Sequence, residues 1–161
     1  RLLSRGLGDV YKRQKYFFKY LITLIISFSL LNCSNMNNYD RNCNFLSSIG
    51  IQISLNLNLA QYNGLNFSNQ PVYVPNVANA GIIVNNTGTG YVAFDAADPN
   101  IPFGECSILV IEGIEAVSPV DCEQSNRYNL LTGQPMENPD LRCSLKPYFV
   151  ERIGNELFIS N

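Results

Sequence analysis

Residues 51–59, Ile-Gln-Ile-Ser-Leu-Asn-Leu-Asn-Leu, set an apolar side chain at every odd position and a polar one at every even position. Successive side chains of an extended chain point to opposite faces, so a period of two specifies a strand with one face on a core and one in water. The segment 51–62 is therefore read as a strand. After a turn at Asn63-Gly64, Pro71-Val-Tyr-Val-Pro75 gives a short strand that its prolines confine to a sheet edge. Residues 80–96 read as a hairpin, with 82–84 and 91–94 flanking an Asn-Asn-Thr-Gly-Thr-Gly turn rich in residues that tolerate positive φ. Residues 106–117 give two short strands around Glu112-Gly113, and 128–131 a further one before Thr132-Gly133. Residues 145–160 close the chain as a hairpin turning at Gly154-Asn155. No helical period appears after residue 32, and short strands at close intervals specify an all-β sandwich or barrel of antiparallel strands.

The first 32 residues of the 161 are set apart from this body. From Ser4 to Gln14 the chain resembles a translated sequencing adapter, so residues 1–14 are treated as an artefact, and the native start is expected either near Lys15 or lost from the sequence. Lys15 and Lys19 then precede an uncharged run, 20–31, whose apolar core of about a dozen residues falls short of the ~20 that cross a bilayer. Residues 15–32 are read as a lipoprotein signal peptide. Leu30-Leu31-Asn32-Cys33 resembles a bacterial lipobox, which makes Cys33 the lipidated mature N-terminus. An ordinary signal peptide cut nearby is the alternative. The expected location is the bacterial cell envelope, with the outer membrane as the partner of the lipid anchor. Residues 33–48, polar and asparagine-rich, read as a tether, and 49–161 as the β domain.

Beyond residue 32 the chain carries five basic and twelve acidic residues, a formal net charge of −7, which argues against nucleic acid as a partner. Export implies an oxidising compartment, where Cys43, Cys106, Cys122 and Cys143 can form two disulfides in any of three pairings. The chain has no histidine and no tryptophan. The first absence excludes a Ser-His-Asp arrangement and removes the usual acid–base group of neutral pH. The tyrosines are scattered through strands and form no sugar-binding platform, and Gly88 and Gly90 belong to a hairpin turn with no helix after it to bind phosphate. No catalytic residue is assigned, and the chain is not expected to be an enzyme.

Two proline-bearing loops stand out, Ala-Ala-Asp-Pro-Asn at 96–100 and Ser-Pro-Val-Asp-Cys at 118–122, followed by Tyr-Asn-Leu-Leu-Thr-Gly at 128–133 and the hairpin 145–160. Their order and spacing over residues 50–161 resemble the Rieske iron–sulfur domain. That family has a Cys-x-His loop, then a Cys-x-x-His loop some seventeen residues on, then an aromatic and a Thr-Gly turn. The resemblance puts the four ligand positions on Asp98, Asn100, Ser118 and Asp121, with seventeen residues, 101–117, between the pairs. It implies a Rieske-like β fold with a loop-rich subdomain. The two-iron two-sulfur cluster of the family takes two thiolates and two imidazoles, and none of the four residues here replaces either. A cluster recruiting Cys106 and Cys122 instead is disfavoured by the oxidising compartment and by their positions. No cofactor is therefore expected.

In some members of the family a disulfide clamps the two ligand loops. The resemblance thus implies a Cys106–Cys122 bridge, with Cys43–Cys143 as the remaining one fastening the end of the tether; the alternative is one bridge and two buried thiols. Asp98 and Asp121, facing each other with Asn100 and Glu123 close by, would suit a hard cation such as calcium. The same residue types are ordinary turn formers, and that reading is preferred, so no metal site is assigned. The functional expectation is a lipid-anchored, non-catalytic structural or interaction module with an unnamed protein partner. Its alternatives are an iron–sulfur electron-transfer component and an unrelated β-sandwich binding protein.

Overall fold

The chain divides into two units, Arg1–Asn37 and Asn38–Asn161. The computed structural model describes residues 43–137 and 140–161, all of which lie in the second unit. Cys33, the segment 15–32 and residues 1–14 lie outside the described residues.

Ten strands make up the described body: β1 (Gln52–Asn56), β2 (Val72–Val74), β3 (Ile82–Asn86), β4 (Tyr91–Asp95), β5 (Val110–Glu112), β6 (Glu115–Val117), β7 (Arg127–Asn129), β8 (Pro135–Met136), β9 (Pro147–Ile153) and β10 (Glu156–Ser160). They form a six-stranded sheet in the order β1-β10-β9-β4-β3-β2 and a four-stranded sheet in the order β5-β6-β7-β8. Every pairing is antiparallel. The all-β architecture and the hairpins β3–β4, β5–β6 and β9–β10 are those expected from the sequence. β2, between its prolines, lies at a sheet edge, where the missing proline N–H costs no ladder bond.

Two cores explain two kinds of strand. One face of the large sheet buries Leu55, Val74, Ile82, Val84, Tyr148, Leu157 and Ile159. Ile83 and Phe94, on the opposite face, pack with Leu109, Ala116, Tyr128, Leu130 and Leu145 from the smaller sheet and its loops. β3 is thus covered on both sides and reads Ile-Ile-Val without alternation, whereas β1 has one wet face and alternates. Burial of one such leucine or isoleucine contributes about 1.5–3 kcal/mol.

The strand read over 51–62 is shorter in the structure. β1 ends at Asn56, whose side-chain oxygen accepts the Asn58 N–H at 2.9 Å while its carbonyl accepts the Leu59 N–H at 3.1 Å. A 3-10 segment, Ala60–Asn66, follows and takes in the Asn63-Gly64 pair. Leu57 still reaches the core, but Leu59 is 50% exposed. Asparagines suit a wet strand face and also turn the chain through their own side chains, and here the turn prevails.

Residues 43–48, assigned to the tether on sequence, bond to the body. Cys43 and Leu46 are buried. The Ser47 main chain donates to Asn79 Oδ1 at 3.0 Å, and its carbonyl accepts from Asn79 Nδ2 at 3.2 Å and Lys146 Nζ at 2.9 Å.

Candidate functional site: two loops joined by a buried polar network

The chain leaves β4 at Asp95 and turns at once through Ala-Asp-Pro-Asn. The Asn100 N–H folds back onto Asp98 Oδ1 at 2.8 Å, a local turn that Asp supports well. Asp98 is 0% exposed. A carboxylate taken from water must be well supplied with donors, and three converge on it. The Tyr128 hydroxyl donates to Oδ1 at 2.6 Å, Asn126 Nδ2 donates to Oδ2 at 2.7 Å, and the Asn100 N–H completes the set. Burial first, then the charge of Asp98, raises the Tyr128 phenol well above its ordinary value. It therefore stays protonated and serves as a permanent donor.

Asn100 carries the network further. Its Nδ2 donates to the Tyr128 hydroxyl oxygen at 2.8 Å and to the Cys143 carbonyl at 2.7 Å, and its Oδ1 accepts the Cys143 N–H at 3.0 Å. The amide thus grips both main-chain groups of one residue, much as a neighbouring strand would. The second loop enters through Ser118 and Asn126. The Ser118 N–H donates to the Asn126 carbonyl at 2.9 Å, and the Asn126 N–H donates to Ser118 Oγ at 3.2 Å. Three of the four positions singled out by sequence, Asp98, Asn100 and Ser118, are thereby joined through Tyr128 and Asn126. The fourth, Asp121, is exposed.

Asp98 and Asp121, set opposite each other in the sequence reading, therefore share no site, since one is sealed inside and the other stands in solvent. Among the described residues no group of three or more His, Cys, Asp or Glu side chains is arranged to hold a metal ion. The donors also do not fit a two-iron cluster, which needs thiolates and imidazoles. Both Asp98 oxygens and both ends of the Asn100 amide are already bonded within the protein. The two cysteines of these loops are bonded to each other, Cys106 to Cys122, with Cα atoms 5.7 Å apart. Cys43 pairs with Cys143, Cα–Cα 5.8 Å. Both bridges have the pairing that the resemblance implied.

The turn after Tyr128 depends on a glycine. Gly133 has φ +73°, and a Cβ there would lie 2.6 Å from Phe94 Cε1. Its carbonyl accepts the Leu145 N–H at 2.8 Å, which ties the turn to the segment holding Cys143. Beside the second loop is an open depression of about 180 Å³ whose lining includes Ser118, Val120, Cys122, Asn126 and Arg127. Arg127 is engaged there by Glu115 at 2.6 Å and Glu112 at 3.2 Å.

A second buried carboxylate, not singled out by sequence, lies three residues upstream. Asp95 Oδ2 accepts from Asn79 Nδ2 at 2.7 Å, the Asn79 N–H at 3.3 Å and the Tyr148 hydroxyl at 2.8 Å, and Oδ1 accepts the Ala97 N–H at 3.1 Å. Lys146 lies close by, with Nζ 5.6 Å from the Tyr148 ring centre. Burial lowers its affinity for a proton, and the charge of Asp95 opposes that shift.

No protein-family model matches the chain, and no curated protein does. Among solved structures it is similar to the ferredoxin of carbazole 1,9a-dioxygenase from Nocardioides aromaticivorans IC177, at a TM-score of 0.43 and 16% identity, over 70% of this chain and 97% of that one. A chain in a complex of reduced oxygenase and oxidized ferredoxin in carbazole 1,9a-dioxygenase matches at a TM-score of 0.43 and 17% identity, over 71% of this chain and 94% of its own length. These neighbours are Rieske-type ferredoxins, and the likeness to them is weak.

Proposed function

We propose that this chain is a lipid-anchored envelope protein whose β body holds no iron–sulfur cluster and works as a non-catalytic structural or interaction module. The observation that carries this reading is the state of Asp98. At the first ligand position stands a wholly buried carboxylate with both oxygens occupied by Tyr128, Asn126 and the Asn100 N–H. Such a group ties two loops together, and both of its oxygens already serve the protein's own donors. The Asp95 cluster supports the same view, because an equivalent carboxylate–tyrosine–asparagine set performs a purely structural task away from any ligand position. The anchor rests on the Cys33 motif.

Two measurements on freshly isolated full-length protein test the two halves of the reading. Iron and acid-labile sulfide should both be far below one equivalent, with no visible absorption; stoichiometric iron and sulfide would return the chain to electron transfer. Cys33→Ser should move the protein from the membrane fraction to the soluble one. Equal membrane retention of that variant would remove the anchor.

A further inference from the structure

The two disulfides differ in access. Cys43 and Cys143 are 4% and 8% exposed, and the main chain of Cys143 is gripped by Asn100. Cys106 and Cys122 are both only half-buried. Cys122 also lines the open depression, next to Val120, which is 91% exposed. Thiol–disulfide exchange needs an attacking thiolate to reach one sulfur along the axis of the bond, so access decides which bridge reacts and which sulfur is struck. The charged residues next to the two cysteines in sequence are all acidic. Glu105 precedes Cys106, Asp121 and Glu123 flank Cys122, and all three are exposed. Arg127, the cation on the depression wall, is committed to Glu112 and Glu115.

We propose that the Cys106–Cys122 bridge is a thiol–disulfide exchange site, attacked at Cys122 from the depression and selective for thiols carried on a cationic molecule or protein surface. The attacking thiolate bonds to Cys122 Sγ as the Cys122–Cys106 bond breaks, and the electron pair leaves on Cys106 Sγ, which takes a proton from water. A second thiol of the reductant then displaces Cys122. The reductant leaves as a disulfide, and Cys106 and Cys122 remain as thiols. The three carboxylates repel a thiolate carried on an anion, which attacks as a dianion, far more than one whose charge a neighbouring ammonium offsets, an effect that salt screens. The polar network outlasts the reaction, because Asp98, Tyr128, Asn100 and Asn126 are bonded to one another and not through this bridge.

The test exposes the native full-length protein to dithiothreitol, to cysteamine (a cation) or to mercaptoethanesulfonate (an anion), quenches by alkylation and maps the cysteines by peptide mass spectrometry. Cys106 and Cys122 should be modified well before Cys43 and Cys143, with the mixed disulfide on Cys122 and the alkylated thiol on Cys106. At low salt cysteamine should react about tenfold faster than the anion, falling to about threefold or less at high salt. The triple variant Glu105→Gln, Asp121→Asn, Glu123→Gln, changed only at exposed positions, should lose this preference while keeping the bridge order. Simultaneous modification of all four cysteines, or earlier modification of Cys43 and Cys143, overturns the site. A mixed disulfide mainly on Cys106 overturns the assignment of the attacked sulfur. Equal low-salt rates for the two monothiols overturn the charge selectivity.

Discussion

Asp95 and Asp98 lie three residues apart and solve the same problem in two settings. Each is a fully buried carboxylate that takes a tyrosine hydroxyl and an asparagine amide, and in each cluster an asparagine grips both main-chain groups of a distant residue. Asn79 holds Ser47 in this way, and Asn100 holds Cys143. The clusters differ in charge. Lys146 stands near Asp95, whereas Asp98 is met by uncharged donors alone. One cluster fastens the N-terminal segment to the large sheet, and the other joins the two loops. The comparison teaches that burying an aspartate among tyrosine and asparagine is this chain's ordinary way of pinning loops, so Asp98 needs no guest to account for it.

The largest expected effect falls on the bridge that joins the two clusters, since Cys143 is held by Asn100 and Cys43 lies four residues before Ser47. Cys43→Ser with Cys143→Ser should cost about 4.7 kcal/mol in urea unfolding, against about 3 kcal/mol for Cys106→Ser with Cys122→Ser, because the first closes the longer loop. Equal losses would show that loop entropy does not govern the difference. Asp98→Ala comes next. It strands three donors in the interior and should cost about 4 kcal/mol, while Asp98→Asn, which keeps an acceptor, should cost about half as much.

Smaller effects separate the clusters more finely. Tyr128→Phe leaves Asp98 with two donors and deprives Asn100 of an acceptor, so a loss of about 2 kcal/mol is expected. Tyr148→Phe leaves Asp95 with three donors and should cost about 1 kcal/mol. A reversed order would mean that the charge of Lys146 does not relieve Asp95.

The alkaline response should have opposite signs in the two clusters. The folded Tyr128 pKa lies above the unfolded value of about 10, so its contribution is intact below that pH and is lost as pH rises past it. The loss can reach about 1.4 kcal/mol per pH unit, and Tyr128→Phe should flatten it. The folded Lys146 pKa lies below 10.5, so the unfolded state binds more protons in the window beneath that value and stability rises with pH there. Lys146 is partly exposed, so this rise is the weaker of the two, and Lys146→Met should abolish it. Urea unfolding from pH 8 to 11 on the two variants measures both signs.

The strands were largely legible because periodicity and turn residues are local. The β3–β4 and β9–β10 hairpins declare themselves through Asn and Gly between apolar runs. β8 did not, since two residues, Pro135 and Met136, carry no period at all. Asp98 and Asn100 could be located through loop order, and their turn-forming role could be read from Asp-Pro-Asn. Their partners could not. Tyr128 and Asn126 meet Asp98 from 30 and 28 residues away, and Tyr148 meets Asp95 across 53. Residue type and spacing do not encode such meetings; only the packed sheets create them. The same limit explains why Asp98 and Asp121 were set face to face, because two acidic loop residues look alike until one is buried.

The Cys43–Cys143 bridge also fixes how the protein bears tension. A pull from the N-terminal side enters the body at Cys43 and crosses covalently to Cys143, just ahead of β9, so residues 44–142 lie off the load path. The bridge spans 100 residues of sequence. At roughly 3.5 Å per extended residue, about 350 Å of contour is locked away from stretching. Among the described residues, only the short stretch holding the β9–β10 hairpin is left on that path, and it would yield by the hairpin peeling from β1 and β4.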